Sequence, residues 1–198
     1  MGSFGARQAD ALLVVHEWLS KRAAIGPQSR RAKRFASFGE GSAICFPPAA
    51  LYGEQAISIG KDTLIGPYVS LSAGIAPGQE LLSDQVVIIG DRVLIGRGSS
   101  IVGHFQIVIE DEVYFGPNVY VTDQNHALMD STLAIGRQAA PERPVRIGWG
   151  SWLGTNTVVL PGVSIGRQVT VGAGSVVTGD LPDGCVAVGS PARVVEPK

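Results

Sequence analysis

From Ile147 onward, apolar residues return every six positions: Ile147, Leu153, Val159, Ile165, Val171 and Val177. Gly148, Gly154, Gly166 and Gly172 follow four of them directly. The same interval runs upstream in three groups: Ile59, Ile65 and Leu71; Ile89, Ile95 and Ile101; Ile109, Phe115 and Val121. An α-helix would bring its apolar residues back at three- and four-residue steps. A half-buried strand would alternate at every second residue. A period of six with glycine in second place fits neither, but it does fit a short strand, a turn and another short strand. Three such units, about 18 residues, close one triangular coil of a parallel β-helix. The predicted fold is therefore all-β. Its lead aliphatics stack inward in ladders, and each coil is bonded to its neighbours. Glycine in second place is expected to ease the backbone through the turn.

The hexads sort onto three faces. Face A begins at Ile59, Ile89, Ile109, Ile147 and Ile165; face B at Ile65, Ile95, Phe115, Leu153 and Val171; face C at Leu71, Ile101, Val121, Val159 and Val177. This predicts five coils. The interruptions are informative. One runs from Leu71 to about Val86, a two-residue insertion precedes Ile109, and a polar stretch runs from Ala127 to about Arg146. All three fall between faces C and A. Loops on a rigid scaffold carry function, so this edge is the predicted site.

Outside the repeat, residues from Ala9 to Ile25 read as a helix, with an apolar stripe of Leu12, Val15, Trp18 and Leu19 and with Asp10 as N-cap. His16 lies on it. The basic run from Arg30 to Arg34 reads as solvated surface, and Phe35 to Phe46 as an imperfect first coil or cap. The predicted organisation is an N-terminal helix and cap over 1–54, a β-helix over 55–180 and an extension over 181–198.

Composition narrows the picture. Of 198 residues, 45% are hydrophobic but only 7% aromatic, and 26 are glycine. The core is thus built of small branched side chains with many tight turns. The formal net charge of −1 supplies no basic field for nucleic acid or membrane. Cys45 and Cys185 are too far apart in sequence for a metal-binding pair and read as small buried hydrophobes. The run Ala11 to Val15 is short for a secretion signal, and no stretch approaches the roughly 20 apolar residues of a membrane span. A cytoplasmic protein is expected.

Three histidines are present. His126 ends the Val121 hexad, just before the longest interruption. His104 lies in the Ile101 hexad, one coil below on the same face. A catalytic zinc site needs three protein ligands, and His16 lies off this stack, so no metal is expected. Neutral imidazole can instead take a proton from a hydroxyl near pH 7.

The segments 109–126, 144–154, 159–166, 172–178 and 188–193 resemble the galactoside and maltose acetyltransferases of the hexapeptide-repeat acyltransferase family. The resemblance implies a left-handed parallel β-helix and a homotrimer with a groove between subunits. It also implies acetyl-CoA or another acyl-CoA as co-substrate, a sugar or polyol hydroxyl as acceptor, and His126 as the base. Trp152, Gly154 and Thr155 would line the pantetheine groove. Ala173, Thr178 and Arg193 would lie further along the coenzyme, Arg193 toward a phosphate. The departures fall mostly on the acceptor side. They comprise Val102 to Phe105, the segment 127–131, and Gly179 where the family has lysine. They make His104 and Phe105 acceptor-contact candidates, with Asp123 beside His126. Two alternatives stay open: transfer of a longer chain or to an amine, and a noncatalytic trimeric interaction module.

Overall fold

The six-residue period folds as the spacing predicts. In the computed structural model, residues 3–197 are described apart from residues 75, 77 and 139 and the side chains of residues 3–7, 196 and 197. Very short strands alternate with turns. One coil, for example, consists of Ile107–Ile109, Tyr114–Phe115 and Tyr120–Thr122. Face A is a six-stranded sheet running from Ser37–Phe38 to Ser164–Ile165, and face C one running from Ala50–Tyr52 to Val176–Val177. Face B is eight-stranded, from Ala43–Ile44 to Ala192–Pro197.

The register puts the lead residues directly above one another. On face A, Ile59 pairs with Ile89, Ile89 with Ile109, Ile109 with Ile147 and Ile147 with Ile165, all parallel. On face C the ladder is Leu71, Ile101, Val121, Val159 and Val177. All of these side chains are buried. Each contributes about 1.5–3 kcal/mol of hydrophobic stabilisation, with a single small core shared along the axis.

Glycine's task in the second place differs from the expectation. A Cβ on Gly116 would stand 2.7 Å from the Thr155 nitrogen, and one on Gly154 would stand 2.6 Å from the Ala173 nitrogen. The next coil's backbone occupies the space, so close approach excludes a side chain. The turn itself is made two residues later, in the left-handed region. There Arg92, Glu112 and Gln168 carry it at one corner and Tyr68, Asn118 and Asn156 at the next, with φ between 52° and 60°.

The ends also differ from the sequence reading. The β-helix begins at Ser37, not at residue 55: Ser37 pairs with Ser58, Ala43 with Leu64 and Ala50 with Ser70. This is the imperfect coil expected over Phe35 to Phe46, and it runs on to Tyr52; its leads are Phe38, Ile44 and Leu51, and the period slips only between the last two. The helix spans Ser3–Arg22, so Asp10 lies in its interior and does not cap it. Ile25 is extended and bridges antiparallel to Ile44. Part of the basic run is engaged: Arg31 and Arg34 both bond the carboxylate of Glu54, which is only 2% exposed. Cys185 is buried, and Cys45 is half-buried. Burial raises both thiols above their usual range. Among the described residues, no helix is long and apolar enough to cross a membrane.

Candidate active site

The three interruptions project from one corner of the prism, and a single residue, Asp123, ties two of them together through its carboxylate and its carbonyl. Asp123 follows the strand Tyr120–Thr122 and is 0% exposed. Its side chain accepts hydrogen bonds from the backbone N–H groups of His104, Phe105 and Gln106, at 2.9, 2.8 and 2.7 Å. The two-residue insertion of one coil is thus folded around a carboxylate from the next. Asp123 is spent on this turn, which explains its burial without an acceptor. Its carbonyl also receives the Arg143 N–H at 2.9 Å, where the long loop returns to the coil.

The long loop has its own organiser, which the sequence reading missed. The buried Gln138 side chain accepts from the N–H groups of Met129 and Asp130 at 3.0 Å and donates to the carbonyls of Asp130 and Leu133. Its backbone carbonyl receives the Ala127 N–H at 2.9 Å. This folded loop delivers Glu142 to His104, whose Nδ1 stands 2.7 Å from Glu142 Oε1. The Glu142 backbone N–H and then the His104 ring hold its carboxyl below the usual carboxylate range.

The two histidines differ in environment. His104 is mostly buried, its side chain 13% exposed. Both ring nitrogens are engaged, Nδ1 by Glu142 and Nε2 by the Gln79 amide at 2.6 Å. His126 is exposed; its backbone N–H is anchored to Asn125 Oδ1 at 2.9 Å. Among the described residues, no hydrogen bond reaches its imidazole. His126 stands between two cavities. One, of about 220 Å³, is lined by His104, Asn125, Arg137 and Glu142 among others. The other, of about 260 Å³, is lined by Tyr120, Thr122, Leu160 and Pro161. Phe105 is exposed beside the inserted turn.

The residues expected along the coenzyme lie elsewhere. Trp152 projects outward from face B, in register with Tyr114 below and Thr170 above. Gly154 is buried at the next corner with Thr155 beside it, and its missing side chain is already explained by coil packing. Ala173, Thr178 and Arg193 are exposed toward the C-terminal end. Arg193 donates to the Ala192 carbonyl. Neither cavity beside His126 is lined by Trp152. Within one chain, Trp152 on face B is therefore apart from His126, whereas Thr178 follows the face C strand Val176–Val177, in the same sheet as the strand before His126.

Trp152, Ala173 and Arg193 are each exposed, an aromatic, a small residue and a cation.

Comparison with known proteins gives a consistent family. A profile described as "Bacterial transferase hexapeptide (six repeats)" matches residues 144–179, and one described as "Hexapeptide repeat of succinyl-transferase" matches residues 86–123. The chain is 30% identical over 146 residues to a galactoside O-acetyltransferase of Escherichia coli, an alignment covering 74% of this chain and 66% of that one. It is 41% identical over 107 residues to a "Probable acetyltransferase" of Mycobacterium tuberculosis, covering 54% of this chain and 36% of the relative. The chain thus spans about a third to two thirds of these relatives' lengths. Among solved structures, a mutant of the N-acyltransferase AntD from Bacillus cereus, in complex with dTDP-4-amino-4,6-dideoxyglucose and coenzyme A, superposes with a TM-score of 0.74. It is 24% identical and covers 88% of this chain and 90% of that one. That likeness shows the fold.

Proposed function

Given that the chain belongs to the hexapeptide-repeat transferases and folds as their left-handed parallel β-helix, we propose that it is an acyl-CoA-dependent O-acyltransferase. Its acceptor is a hydroxyl of a sugar or polyol, and its general base is His126. The observation that carries this reading is the contrast between the histidines. A base must reach the acceptor with an available nitrogen. His126 stands exposed between two cavities with its ring uncommitted, whereas His104 has both nitrogens bonded.

Acyl-CoA supplies the thioester whose carbonyl carbon accepts the acceptor oxygen and whose thiol departs. The protein's part is positioning and proton transfer. His126 takes the hydroxyl proton as the oxygen attacks, and Asn125 fixes the backbone that carries the ring. Trp152, Thr155, Ala173 and Arg193 hold the coenzyme from face B round to the C-terminal end, and Thr178 does so from face C. Because Trp152 and His126 are on separate sides of one chain, a neighbouring subunit supplies the second wall, which supports a homotrimer. An exposed apolar ladder on face B favours the same assembly: Leu64, Leu94, Tyr114 and Trp152 stack in register over successive coils.

Transfer to an amine is the second reading, favoured by the likeness in fold to an N-acyltransferase. One assay separates the two. Purified protein is given acetyl-CoA with methyl β-galactoside, maltose or glucosamine, and released thiol is measured alongside the mass of the product. An ester product on a hydroxyl is expected. Acetylation confined to the amine of glucosamine would replace the O-transfer reading. Binding of acetyl-CoA with no turnover on any sugar would favour the interaction module.

A further inference from the structure

The three excursions at the C–A corner meet at one side chain. Gln79 belongs to the excursion that follows the strand Ser70–Ala73. His104 lies in the insertion after the strand Ser100–Gly103. Glu142 is in the loop that follows His126. The backbone of His104 is fixed from the next coil by Asp123 at 2.9 Å. Its ring then bridges the other two, Nε2 to the Gln79 amide nitrogen at 2.6 Å and Nδ1 to Glu142 at 2.7 Å. An amide nitrogen can only donate, so Nε2 accepts. The neutral ring then carries its proton on Nδ1 and donates it to the carboxylate. This imidazole is used as a two-ended clasp.

The clasp also faces the reaction. His104 and Glu142 line the same 220 Å³ cavity as His126, together with Gln124, Asn125 and Arg137. Among a largely apolar lining these side chains mix donors with acceptors, as recognition of a polyhydroxylated ring requires. Gln79 itself lines a separate cavity with Leu81 and Asp84, so it reaches this one only through the His104 ring.

We propose that Glu142 and Gln79 are positioning residues that set acceptor specificity by holding the two loops through His104, and that the cavity between His104 and His126 receives a single sugar ring. The inference rests on the acyl-transfer reading for its substrate but not for the clasp. Neither residue touches the reacting atoms. Each fixes one end of the His104 ring that lines the cleft where the acceptor hydroxyl meets His126, so freeing either end loosens that wall and disorders the acceptor.

The test is a double-mutant cycle on the full chain with Gln79→Ala, Glu142→Ala and the double variant. Kinetics are measured with acetyl-CoA and whichever of methyl β-galactoside, maltose or glucosamine turns over fastest. Each single variant is expected to raise the acceptor KM by about tenfold, the worth of one charge-assisted or buried hydrogen bond, with the KM for acetyl-CoA within about twofold. The double variant is expected to be no worse than either single, because each removes one end of the same clasp. Independent effects that multiply to about 100-fold, or an unchanged acceptor KM, would overturn the proposal. Glu142→Gln, which keeps an acceptor oxygen for Nδ1, should restore most of the loss and guards against a folding artefact. If wild-type protein acetylates none of the sugars, the acyl-transfer reading fails on its own. The clasp is then read by amide hydrogen exchange. Glu142→Ala should deprotect residues 78–85 as well as its own loop, and deprotection confined to its own loop would refute the linkage.

Discussion

At the scale of single residues, the site separates groups that act from groups that hold. His126 is outside the apolar ladders, so His126→Ala should leave the thermal midpoint unchanged while lowering turnover by about 10²–10⁴-fold, the usual worth of a placed base. Near-wild-type turnover in this variant, with His104→Ala inactive, would move the base to His104. Glu142 gives a second prediction, in pH. Its carboxyl is held below its ordinary value of 4.5 by its own backbone N–H and by the His104 ring. A depressed carboxylate stabilises the fold fully above its unfolded value, and that contribution is lost as pH falls through the lower folded value. Docking of the 127–144 loop should therefore hold at neutral pH and weaken as the medium is acidified below 4.5. Amide chemical shifts of the loop, titrated downward, should show this step, and Glu142→Gln should abolish it. The sequence placed His126 and His104 at this corner through the arithmetic of the repeat alone. It gave no sign of Glu142, because nothing in a polar loop says which carboxylate folds back 38 residues to meet a histidine. Asp123 was read as a neighbour of His126, yet its hydrogen bonds go to the turn below.

At the scale of elements, the coils were legible because inward positions must be apolar at every sixth residue, and tertiary packing leaves no other choice. Where the period slips by a residue, as between Ile44 and Leu51, the coil forms anyway, because backbone pairing with Leu64 and Ser70 continues. The period was therefore a sufficient sign of a coil but not a necessary one. The long loop was legible only as an interruption. Its internal order depends on Gln138, one polar residue among several in the sequence, and becomes visible only when its bonds are traced. Gln138→Ala should consequently unpin residues 127–138 and raise the acceptor KM without altering coenzyme affinity, measured by calorimetric titration of coenzyme A. Equal losses in acceptor and coenzyme binding would show that the loop serves both. The helix Ser3–Arg22 began earlier than its apparent cap because a single Asp is a weaker signal than continued helical propensity on either side of it.

At the scale of the whole molecule, a prism built from ladders has flat faces, and one of them is apolar where it meets solvent. Leu94 lies mid-ladder on face B and points outward, 38% exposed, so Leu94→Glu should leave the monomer folded while abolishing association. Light scattering is expected to give a trimer for the parent chain and a monomer for the variant. A trimer in both would place the subunit contact on another face. The two ends of the prism pose a different problem. Each coil is a template for the next, and an unfinished edge invites another molecule to continue the stack. Both ends of face B are closed by backbone running the opposite way. Ile25 lies antiparallel on Ile44 at one end, and Ala192–Pro197 lies antiparallel on Cys185–Gly189 at the other. Everything between them is parallel. On this face the reversal makes the outermost backbone unlike the repeat it covers, so an identical chain arriving end-on finds no continuation of its own pattern there. The strand that completes face B thus also works against end-to-end growth of a repetitive polypeptide.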